Sequence, residues 1–337
     1  MNIENYIIKN ANNLFEHDLG RPIHVDVQQK KHTSFISCCD VYFESGLTRK
    51  ILIKSYDDNI KTRKDSLHKE FTWSRINYRR FISEDIGIPK PIYFDAENEI
   101  LVMEYVDHSK SLEDTLLNKR NILKTADLKP LFFNAGKWLA RFHAINLISR
   151  EYELNGQRLS NEIKDKWIQS FNVQNKIQND INYLISQVNS NIYAIGSSGL
   201  HKEYAPGNII HVNNKVYGVD LGSRERGCVL DDIAYFIIAT LVLNPFPRYP
   251  FYKRIDFKSE DLQSFYDGYS FEYELQDGIF SSDLFAFFLY KNLIRRISGQ
   301  LRKADRYPGY IRYLIKIHIY KVYQKIKKNI FPYFNRT

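Results

Sequence analysis

The chain has 337 residues, of which 44% are hydrophobic and 26% are charged. This balance is typical of a globular protein and excludes wholesale disorder. Tyr and Phe number 24 and 22, against 15 Gly and 10 Pro, which excludes low-complexity and collagen-like chains. The three cysteines, Cys38, Cys39 and Cys228, have no zinc-type or redox-type spacing, so we expect reduced thiols in the core.

No segment of the sequence is apolar enough to predict a membrane span. The longest mainly apolar run, Ile233 to Leu243, has 11 residues, whereas a spanning helix needs about 20. The first twenty residues contain Glu4, Glu16 and Asp18, a pattern unlike that of an export signal. We therefore expect a cytoplasmic protein.

The first third of the chain predicts a small β-rich domain. Short alternating runs predict strands, with Ser45 and Gly46 as the turn between the second and the third. A helix is predicted over 62–83 before the breaker sequence Gly87 to Pro91. The five predicted strands are Ile23–Gln29, Ser34–Glu44, Thr48–Ser55, Ile92–Phe94 and Ile100–Val106.

Helices dominate the prediction after Val106. Leu131 to Ile148 carries a broad apolar face, and helices resume from Asp232 after a loop and strand region over 198–222. Strands followed by helices indicate an α+β protein in two lobes. We place the first lobe at 1–106 and the larger, mainly helical lobe at 107–337.

Positive charge is concentrated at the end of the chain. The net charge is +9, yet Lys291 to Thr337 alone contains 13 basic residues and one acid, a net of +12. Over 311–330 an apolar stripe recurs at helical spacing with basic residues beside it, which predicts a basic amphipathic helix. This helix could bind an anionic membrane surface, or its stripe could pack on the domain. Nucleic acid is not expected as a partner, because no recognition motif accompanies the charge. The stripe consists of Ile311, Ile315, Ile319, Val322, Ile326 and Ile330.

One loop carries most of the predicted chemistry. His201 to Asn208 is followed by two short predicted strands, Ile209–His211 and Val216–Val219, and then by Asp220. Asn208 and Asp220 supply the hard oxygen ligands that Mg²⁺ prefers, and Glu203 can accept a proton from a hydroxyl. This combination suits phosphoryl transfer.

The loop resembles that of the aminoglycoside phosphotransferase and choline kinase group of the protein-kinase-like superfamily. His201, Pro206, Gly207 and Asn208 match the family's catalytic loop in register. Asp220-Leu221-Gly222 stands where the family has its metal-binding motif, and Asp232-Ile233-Ala234 resembles the helix start that follows it. The resemblance implies a bilobal kinase fold with ATP and Mg²⁺ as cofactors, and catalytic roles for His201 and Glu203.

The resemblance also assigns upstream residues. Lys54, at the end of Ile51-Leu52-Ile53-Lys54, corresponds to the lysine that holds the ATP phosphates, with Glu70 as its ion-pair partner. The backbone of Glu104, Tyr105 and Val106 corresponds to the hinge that meets adenine.

Two features depart from the family pattern. Position 203 is Glu where the family has Asp, so the carboxylate is one methylene further from the backbone. The loop between the first two strands has no glycine, although Lys30, Lys31, Thr33 and Ser34 could contact phosphate there. A solvated basic hairpin tip is the alternative interpretation of that loop.

Four further charged residues follow the metal aspartate. Arg224 and Arg226 are close enough in sequence to reach a transferred phosphate or an anionic acceptor, or they lie on the surface. For Asp231 and Asp232 we predict a capping role at a helix that begins at Ile233.

These observations favour an ATP-dependent kinase that acts on a hydroxyl of a small molecule or carbohydrate. The basic second half favours an anionic or lipid-linked glycan precursor at the inner membrane face over a cationic amine. The alternatives are a non-catalytic pseudokinase, suggested by Glu203, and nucleotidyl transfer by a kinase-like fold.

Overall fold

The computed structural model describes residues 2–15, 19–30, 34–56, 64–119, 127–155, 192–222, 225–242 and 259–330, with a few residues between 161 and 186. The chain divides into two compact units. The first comprises Met1–Lys110 and Ile210–Ser223, and the second comprises Ser111–Ile209 and Arg224–Thr337. Residues 210–223, which the sequence assigns to the second lobe, thus group with the first unit.

The N-terminal part of the chain contains most of the strands. In chain order its elements are α1 (Ile3–Lys9), α2 (Ala11–Leu14), β1 (Pro22–Lys30), β2 (Ser34–Phe43), β3 (Thr48–Tyr56), α3 (Lys64–Phe81), β4 (Ile86–Gly87), β5 (Pro91–Asp95), β6 (Ile100–Glu104), β7 (Lys110–Ser111) and α4 (Leu112–Lys119).

Longer helices follow. The elements are α5 (Lys129–Ile145), β8 (Leu147–Ser149), β9 (Tyr152–Glu153), β10 (Ile192–Tyr193), β11 (Ser197–Gly199), a single 3-10 turn (Pro206–Asn208), β12 (Ile209–Val212), β13 (Lys215–Gly218), β14 (Arg226–Cys228), α6 (Val229–Leu241), α7 (Ser259–Glu272), a second 3-10 turn (Ile279–Ser281), α8 (Asp283–Ala304) and α9 (Gly309–Ile330).

The first unit is built on a five-stranded antiparallel sheet in the order β1-β2-β3-β6-β5. Alternate residues of each strand point to one face, where Val41, Ile53 and Val102 are buried together with Ile7 of α1. Leu101 and Met103 point to the other face and pack against Leu67 of α3. The predicted α+β class, with five strands and one long helix in the first lobe, is confirmed.

A second, four-stranded sheet has the order β4-β13-β12-β7. Asn213, at the turn between β12 and β13, has a φ of 54°, in the left-handed region that Asn tolerates better than most residues. β13 pairs in parallel with β4, with Val216 opposite Ile86. The Asp220 motif follows this strand directly.

The second unit is mainly helical, and α5 packs closely on α7. A Cβ on Gly136 would lie 2.1 Å from the carbonyl oxygen of Phe265, and one on Gly268 would lie 2.0 Å from that of Phe133. Side chains at either position would therefore push the two helices apart. Buried rings of α5, α6 and α7 are in contact here, with Phe236 packed against both Phe132 and Phe265.

The α6 helix begins at Val229, four residues earlier than predicted, with Cys228 as its N-cap residue. Asp231 and Asp232 therefore lie inside the first turn and are buried, so the predicted capping role is wrong for both. Asp231 accepts hydrogen bonds from Lys291 Nζ at 2.8 Å and Asn292 Nδ2 at 2.9 Å, both from α8. Burial alone would raise the pKa of this carboxyl, but the charges of Lys291 and Lys202 lower it to about 2.

The ion pair between Asp231 and Lys291 predicts a specific loss of stability in acid. A carboxyl whose pKa falls from 3.8 to about 2 on folding stabilises the fold above pH 4 by about 2 kcal/mol, which is lost between pH 4 and pH 2. Asp231→Asn leaves Lys291 buried without its counterion, so we expect the free energy of unfolding at pH 7 to fall by about 3–5 kcal/mol. We also expect the stability of this variant to decrease less steeply between pH 4 and pH 2. Urea unfolding at several pH values measures both effects. The exposed Asp267→Asn serves as the control, and equal acid limbs in wild type and Asp231→Asn would contradict the prediction.

The predicted basic C-terminal helix is present as α9. Ile315, Ile319 and Ile326 of the predicted stripe are buried, as is Tyr323, whose hydroxyl lies 2.8 Å from that of Tyr290 in α8. These residues pack on the second unit, whereas Ile311 at the start of the helix is 47% exposed. Among the described helices, none combines the length and hydropathy that crossing a membrane requires.

Candidate active site

Lys54 and Glu70 form a buried ion pair in the first unit. Lys54 lies two residues after Leu52 on β3, so its side chain points to the face of the sheet that α3 covers. Its Nζ donates to Glu70 Oε2 at 2.9 Å, and the two side chains are only 6% and 4% exposed. Two charges so far from water persist only when each compensates the other. The pair predicted from the sequence is present.

Asp220 joins this pair from β13. Its Oδ1 accepts a hydrogen bond from Lys54 Nζ, so the lysine connects two carboxylates that are 150 residues apart in sequence. Unlike Glu70, the Asp220 side chain is 45% exposed. Its φ of 63° is in the left-handed region, which costs about 1–3 kcal/mol for a residue other than glycine. Such strain is common at functional sites, because the surroundings must hold the residue in place.

Gly222 lies against the start of α3, the helix that carries Glu70. A Cβ at this position would lie 2.2 Å from Ser66 Oγ and 3.0 Å from the Ser66 carbonyl oxygen. The absence of a side chain therefore allows the segment after Asp220 to approach the helix closely.

Gly222→Ala is expected to displace Ser66 and to destabilise the first unit by about 1–3 kcal/mol, because backbone and side chain must both shift. The displacement should also weaken ATP binding, since Ser66 lies one turn before Glu70. Thermal unfolding with and without Mg-ATP measures both effects. Gly299→Ala, whose Cβ would meet no atom within 4 Å, is the control. An unchanged melting temperature for Gly222→Ala would contradict this account.

In the second unit, the 3-10 turn Pro206–Asn208 shapes the predicted catalytic loop. Asn208 Nδ2 donates to the Glu203 carbonyl oxygen at 3.0 Å, and Ala205 N donates to the same oxygen at 2.7 Å. The loop backbone at Glu203 is thus fixed, while its carboxylate side chain is exposed to solvent. An exposed carboxylate on a fixed backbone is suited to accept a proton from a bound hydroxyl.

Asp232 binds the backbone at the start of this loop. The sequence predicted only a capping role for it and did not indicate this contact. It is 1% exposed and accepts hydrogen bonds from the backbone N–H groups of His201 and Lys202, at 2.6 and 2.8 Å. His143 Nε2 lies 3.1 Å from the same carboxylate. Lys202 has a φ of 67°, so the Asp232 carboxylate stabilises a strained turn directly before Glu203. The match of Asp232-Ile233-Ala234 to the family's helix start was the only signal for this role.

Arg295 of α8 holds the next peptide of the same loop. Its Nη1 donates to the Lys202 carbonyl oxygen at 3.0 Å, and its guanidinium lies 4.7 Å from the ring centroid of Tyr235. The carbonyl of Lys202 belongs to the peptide bond that leads into Glu203. No local pattern in the sequence indicates this contact, because the two residues are 93 positions apart.

The side chain of His201 lies inside the second unit. It is 1% exposed, and its ring packs against those of Trp138, Phe142 and Tyr204 at centroid distances of 6.0, 5.7 and 5.5 Å. A ring enclosed by aromatic side chains supports the loop from within and is not exposed to a substrate molecule. The catalytic role expected for His201 is therefore replaced by a structural one.

The predicted hinge follows β6. Glu104 N donates to the Lys90 carbonyl oxygen at 2.8 Å, and Tyr105 N donates to that of Lys50 at 3.3 Å. Both N–H groups are thus used by the protein. The N–H of Val106 makes no hydrogen bond to any of the described residues, so this segment retains one donor for a ligand.

Several predicted contacts lie beyond the described residues. Lys31, Thr33 and Arg224 are outside them, and Lys30 ends β1 with its side chain undescribed. Arg226 lies on β14 of the second unit, where its Nε donates to Ser197 Oγ at 3.2 Å. The roles of the β1–β2 loop and of Arg224 in phosphate binding stay predictions.

The donors for Mg²⁺ fit the cation chemically. Asn208 donates through Nδ2, so its amide oxygen could serve as a metal ligand, and Asp220 is a half-exposed carboxylate. No group of three or more His, Cys, Asp or Glu side chains among the described residues could hold a metal alone. Carboxylate and amide oxygens are ligands of the kind that Mg²⁺ takes beside nucleotide phosphates and water, and the assignment of Asn208 and Asp220 to one magnesium site stays a prediction.

The five-stranded sheet with α3, the Lys54–Glu70 pair and the helical second unit together define a protein-kinase-like fold. Solved structures with this fold include choline kinases and aminoglycoside phosphotransferases. Similarity to the choline kinase of Cryptosporidium parvum has a TM-score of 0.61 at 15% identity, over 98% of this chain and 99% of that one.

Two further solved structures are similar to this chain. An amicoumacin kinase in complex with AMP-PNP and Ca²⁺ matches with a TM-score of 0.59 at 16% identity, over 96% of this chain and 93% of that one. The choline kinase of Streptococcus pneumoniae matches with a TM-score of 0.56 at 12% identity, over 96% and 100%. No protein-family model and no curated protein sequence matches the chain. At these identities the likeness establishes the fold.

Proposed function

We propose that the protein is an ATP- and Mg²⁺-dependent phosphotransferase that acts on a hydroxyl group of a small molecule or carbohydrate. The observation that carries this proposal is the Lys54 ammonium held between the buried Glu70 and the half-exposed Asp220. Two carboxylates fix one cation at the sheet, which suits a phosphate-binding lysine. The similar solved structures include an amicoumacin kinase in complex with AMP-PNP, a choline kinase and a glucosamine kinase, which supports the same reaction class.

Each residue then has a distinct role in the transfer. Lys54 binds the α- and β-phosphates, and the Val106 N–H donates to the adenine. Asn208 and Asp220 hold Mg²⁺, which neutralises charge on the phosphates when it is bound. Glu203 accepts the proton of the acceptor hydroxyl. The oxygen of that hydroxyl bonds to the γ-phosphorus of ATP, while the bond from the γ-phosphorus to the departing ADP oxygen breaks.

For the acceptor we favour an anionic or lipid-linked carbohydrate precursor, handled at the cytoplasmic membrane face. The guanidinium of Arg295 donates to the carbonyl oxygen of the peptide that leads into Glu203. The last 47 residues add a net charge of +12. A field of this sign attracts an anionic acceptor and repels cations such as choline and aminoglycosides.

A nucleotide-binding pseudokinase is the second candidate, because Glu203 replaces the aspartate that the family uses. A protein of this kind would bind Mg-ATP through Lys54 and Asp220 without turning it over. Retention of the complete Lys54, Glu70 and Asp220 arrangement favours the enzyme, since a scaffold has less need for metal ligands.

The test is an acceptor screen with γ-labelled ATP, with Asp220→Asn as the blank. The screen should include acidic sugars, lipid-linked sugars, choline and kanamycin-like amines. We expect labelled product from the anionic or lipid-linked acceptors, with a mass increase of one phosphate. Efficient labelling of the amines alone would overturn the acceptor assignment, and addition of AMP would show nucleotidyl transfer instead. Binding of Mg-ATP with no product from any acceptor would favour the pseudokinase.

A further inference from the structure

The outward face of α9 is unusual because its first half is apolar. The exposed side chains include Tyr310, Tyr313, Leu314 and Tyr320, which are 75%, 64%, 46% and 38% exposed. Residues at i, i+3, i+4 and i+10 lie on the same side of a helix. This face is opposite the buried side formed by Ile315, Ile319, Tyr323 and Ile326, so it is separate from the stripe that packs on α8.

The second half of the same face is basic. Lys321, Lys325 and Lys328 are exposed and pair with no acidic side chain among the described residues. The helix contains no Asp or Glu from Gly309 to Ile330. An apolar, tyrosine-rich half and a lysine half thus follow each other along one side of a helix about 27 Å long between Tyr310 and Lys328.

We infer that this face lies along an anionic lipid bilayer. Tyrosine prefers the boundary between headgroups and acyl chains, where its ring is apolar and its hydroxyl is hydrated. Lysines on the same plane meet the negative headgroups, and each contributes about a fivefold gain in affinity. The occupant is a membrane on the basis of charge complementarity, because three unpaired lysines on the same face would repel a second copy of the chain.

This inference concerns side chains of α9 and uses none of the residues assigned to phosphoryl transfer. Binding is measured without nucleotide or acceptor, so its failure would leave the proposed activity untouched. The sequence predicted a possible anionic membrane surface as partner of the helix over 311–330, with packing of its isoleucine stripe on the domain as the alternative. The structure buries three of the six stripe residues, Ile315, Ile319 and Ile326, and exposes the opposite side of the helix.

The experiment measures sedimentation of the full chain with vesicles of phosphatidylcholine alone or mixed with phosphatidylglycerol. The charge variant is Lys321→Gln/Lys325→Gln/Lys328→Gln, and the apolar variant is Tyr310→Ser/Tyr313→Ser/Leu314→Ser. A matched control, Lys9→Gln/Arg49→Gln/Arg79→Gln, removes the same charge from exposed positions of the first unit.

Wild type should bind the anionic vesicles and not pure phosphatidylcholine. The charge variant should bind roughly 100-fold more weakly and the apolar variant at least about 10-fold more weakly, whereas the control should stay within about twofold. All substituted residues are exposed, so thermal melting should not change. If the apolar variant unfolds, the charge variant decides the question.

Four results would overturn the inference. The first is absence of wild-type binding to anionic vesicles. The second is equal loss of binding in the charge variant and the control, which would indicate attraction by net charge alone. The third is concentration-dependent dimerisation of wild type that the apolar variant abolishes, which would assign the face to a second copy. Binding of an RNA oligonucleotide through the same lysines, with no vesicle binding, would also contradict it.

Discussion

Asp220→Asn is expected to lower phosphate transfer by about 1,000-fold or more while leaving the fold intact. The substitution removes the one carboxylate among the proposed metal ligands, and about 4 kcal/mol of lost charge stabilisation corresponds to this factor. Stability should change little because the side chain is 45% exposed and Lys54 keeps its buried partner Glu70. Initial rates with γ-labelled ATP, together with thermal shifts in Mg-ATP, measure transfer and binding separately.

Asp267→Asn provides the matched control for this measurement. Asp267 is an exposed aspartate on α7 that accepts a hydrogen bond from Gln263. Its replacement makes the same chemical change and should leave both the rate and the thermal shift at wild-type values. A rate for Asp220→Asn within tenfold of wild type would show that Asp220 does not hold the metal.

Local patterns in the sequence predicted the five strands of the main sheet and α3, but not the inclusion of residues 210–223 in the first unit. Alternation along β3 places Leu52 and Lys54 on one face, and helical spacing in α3 places Leu67 and Glu70 on a common side. Each pattern depends on a few neighbouring residues and on fixed strand and helix geometry. The pairing of Lys54 with Glu70 was implied by the family resemblance, and this geometry explains how the two side chains meet.

The backbone of the catalytic loop is held by contacts that no local sequence pattern indicates. Asp232 is 30 residues from Lys202, and Arg295 is 93 residues from it, yet both bond to its backbone. The interpretation of Asp231 and Asp232 as capping residues failed because an acid next to a helix start most often has that role. Here Cys228 begins the helix and Asp232 is turned towards the loop.

Burial also changed the interpretation of two predicted residues. The sequence gives His201 the polar chemistry of a catalytic group, but the ring is enclosed by Trp138, Phe142 and Tyr204. The stripe of α9 was compatible with either packing or membrane binding, because both bury the same apolar residues. Only the position of α8 beneath Ile315 and Ile319 distinguishes the two.

Glu203→Ala is expected to lower turnover by about 100-fold to 10,000-fold without weakening Mg-ATP binding. General-base catalysis contributes a factor of this size, and the lost side chain makes no hydrogen bond or ion pair with any residue that the structure describes. The hydrogen bonds from Asn208 and Ala205 go to the backbone carbonyl of residue 203, which every substitution retains. Turnover is measured with γ-labelled ATP and the best acceptor, and binding is measured by thermal shift.

Glu203→Asp distinguishes a site built for glutamate from one that has lost its base. If Arg295 and Asp232 fix the loop so that the longer side chain reaches the hydroxyl, aspartate falls about 1 Å short and should cost on the order of 100-fold. Glu225→Gln, an exposed carboxylate 3.5 Å from Lys202 Nζ, controls for a general loss of negative charge near the loop. Higher turnover in Glu203→Asp than in wild type would show that the loop retains the spacing for aspartate. Wild-type turnover in Glu203→Ala would instead exclude residue 203 as the base.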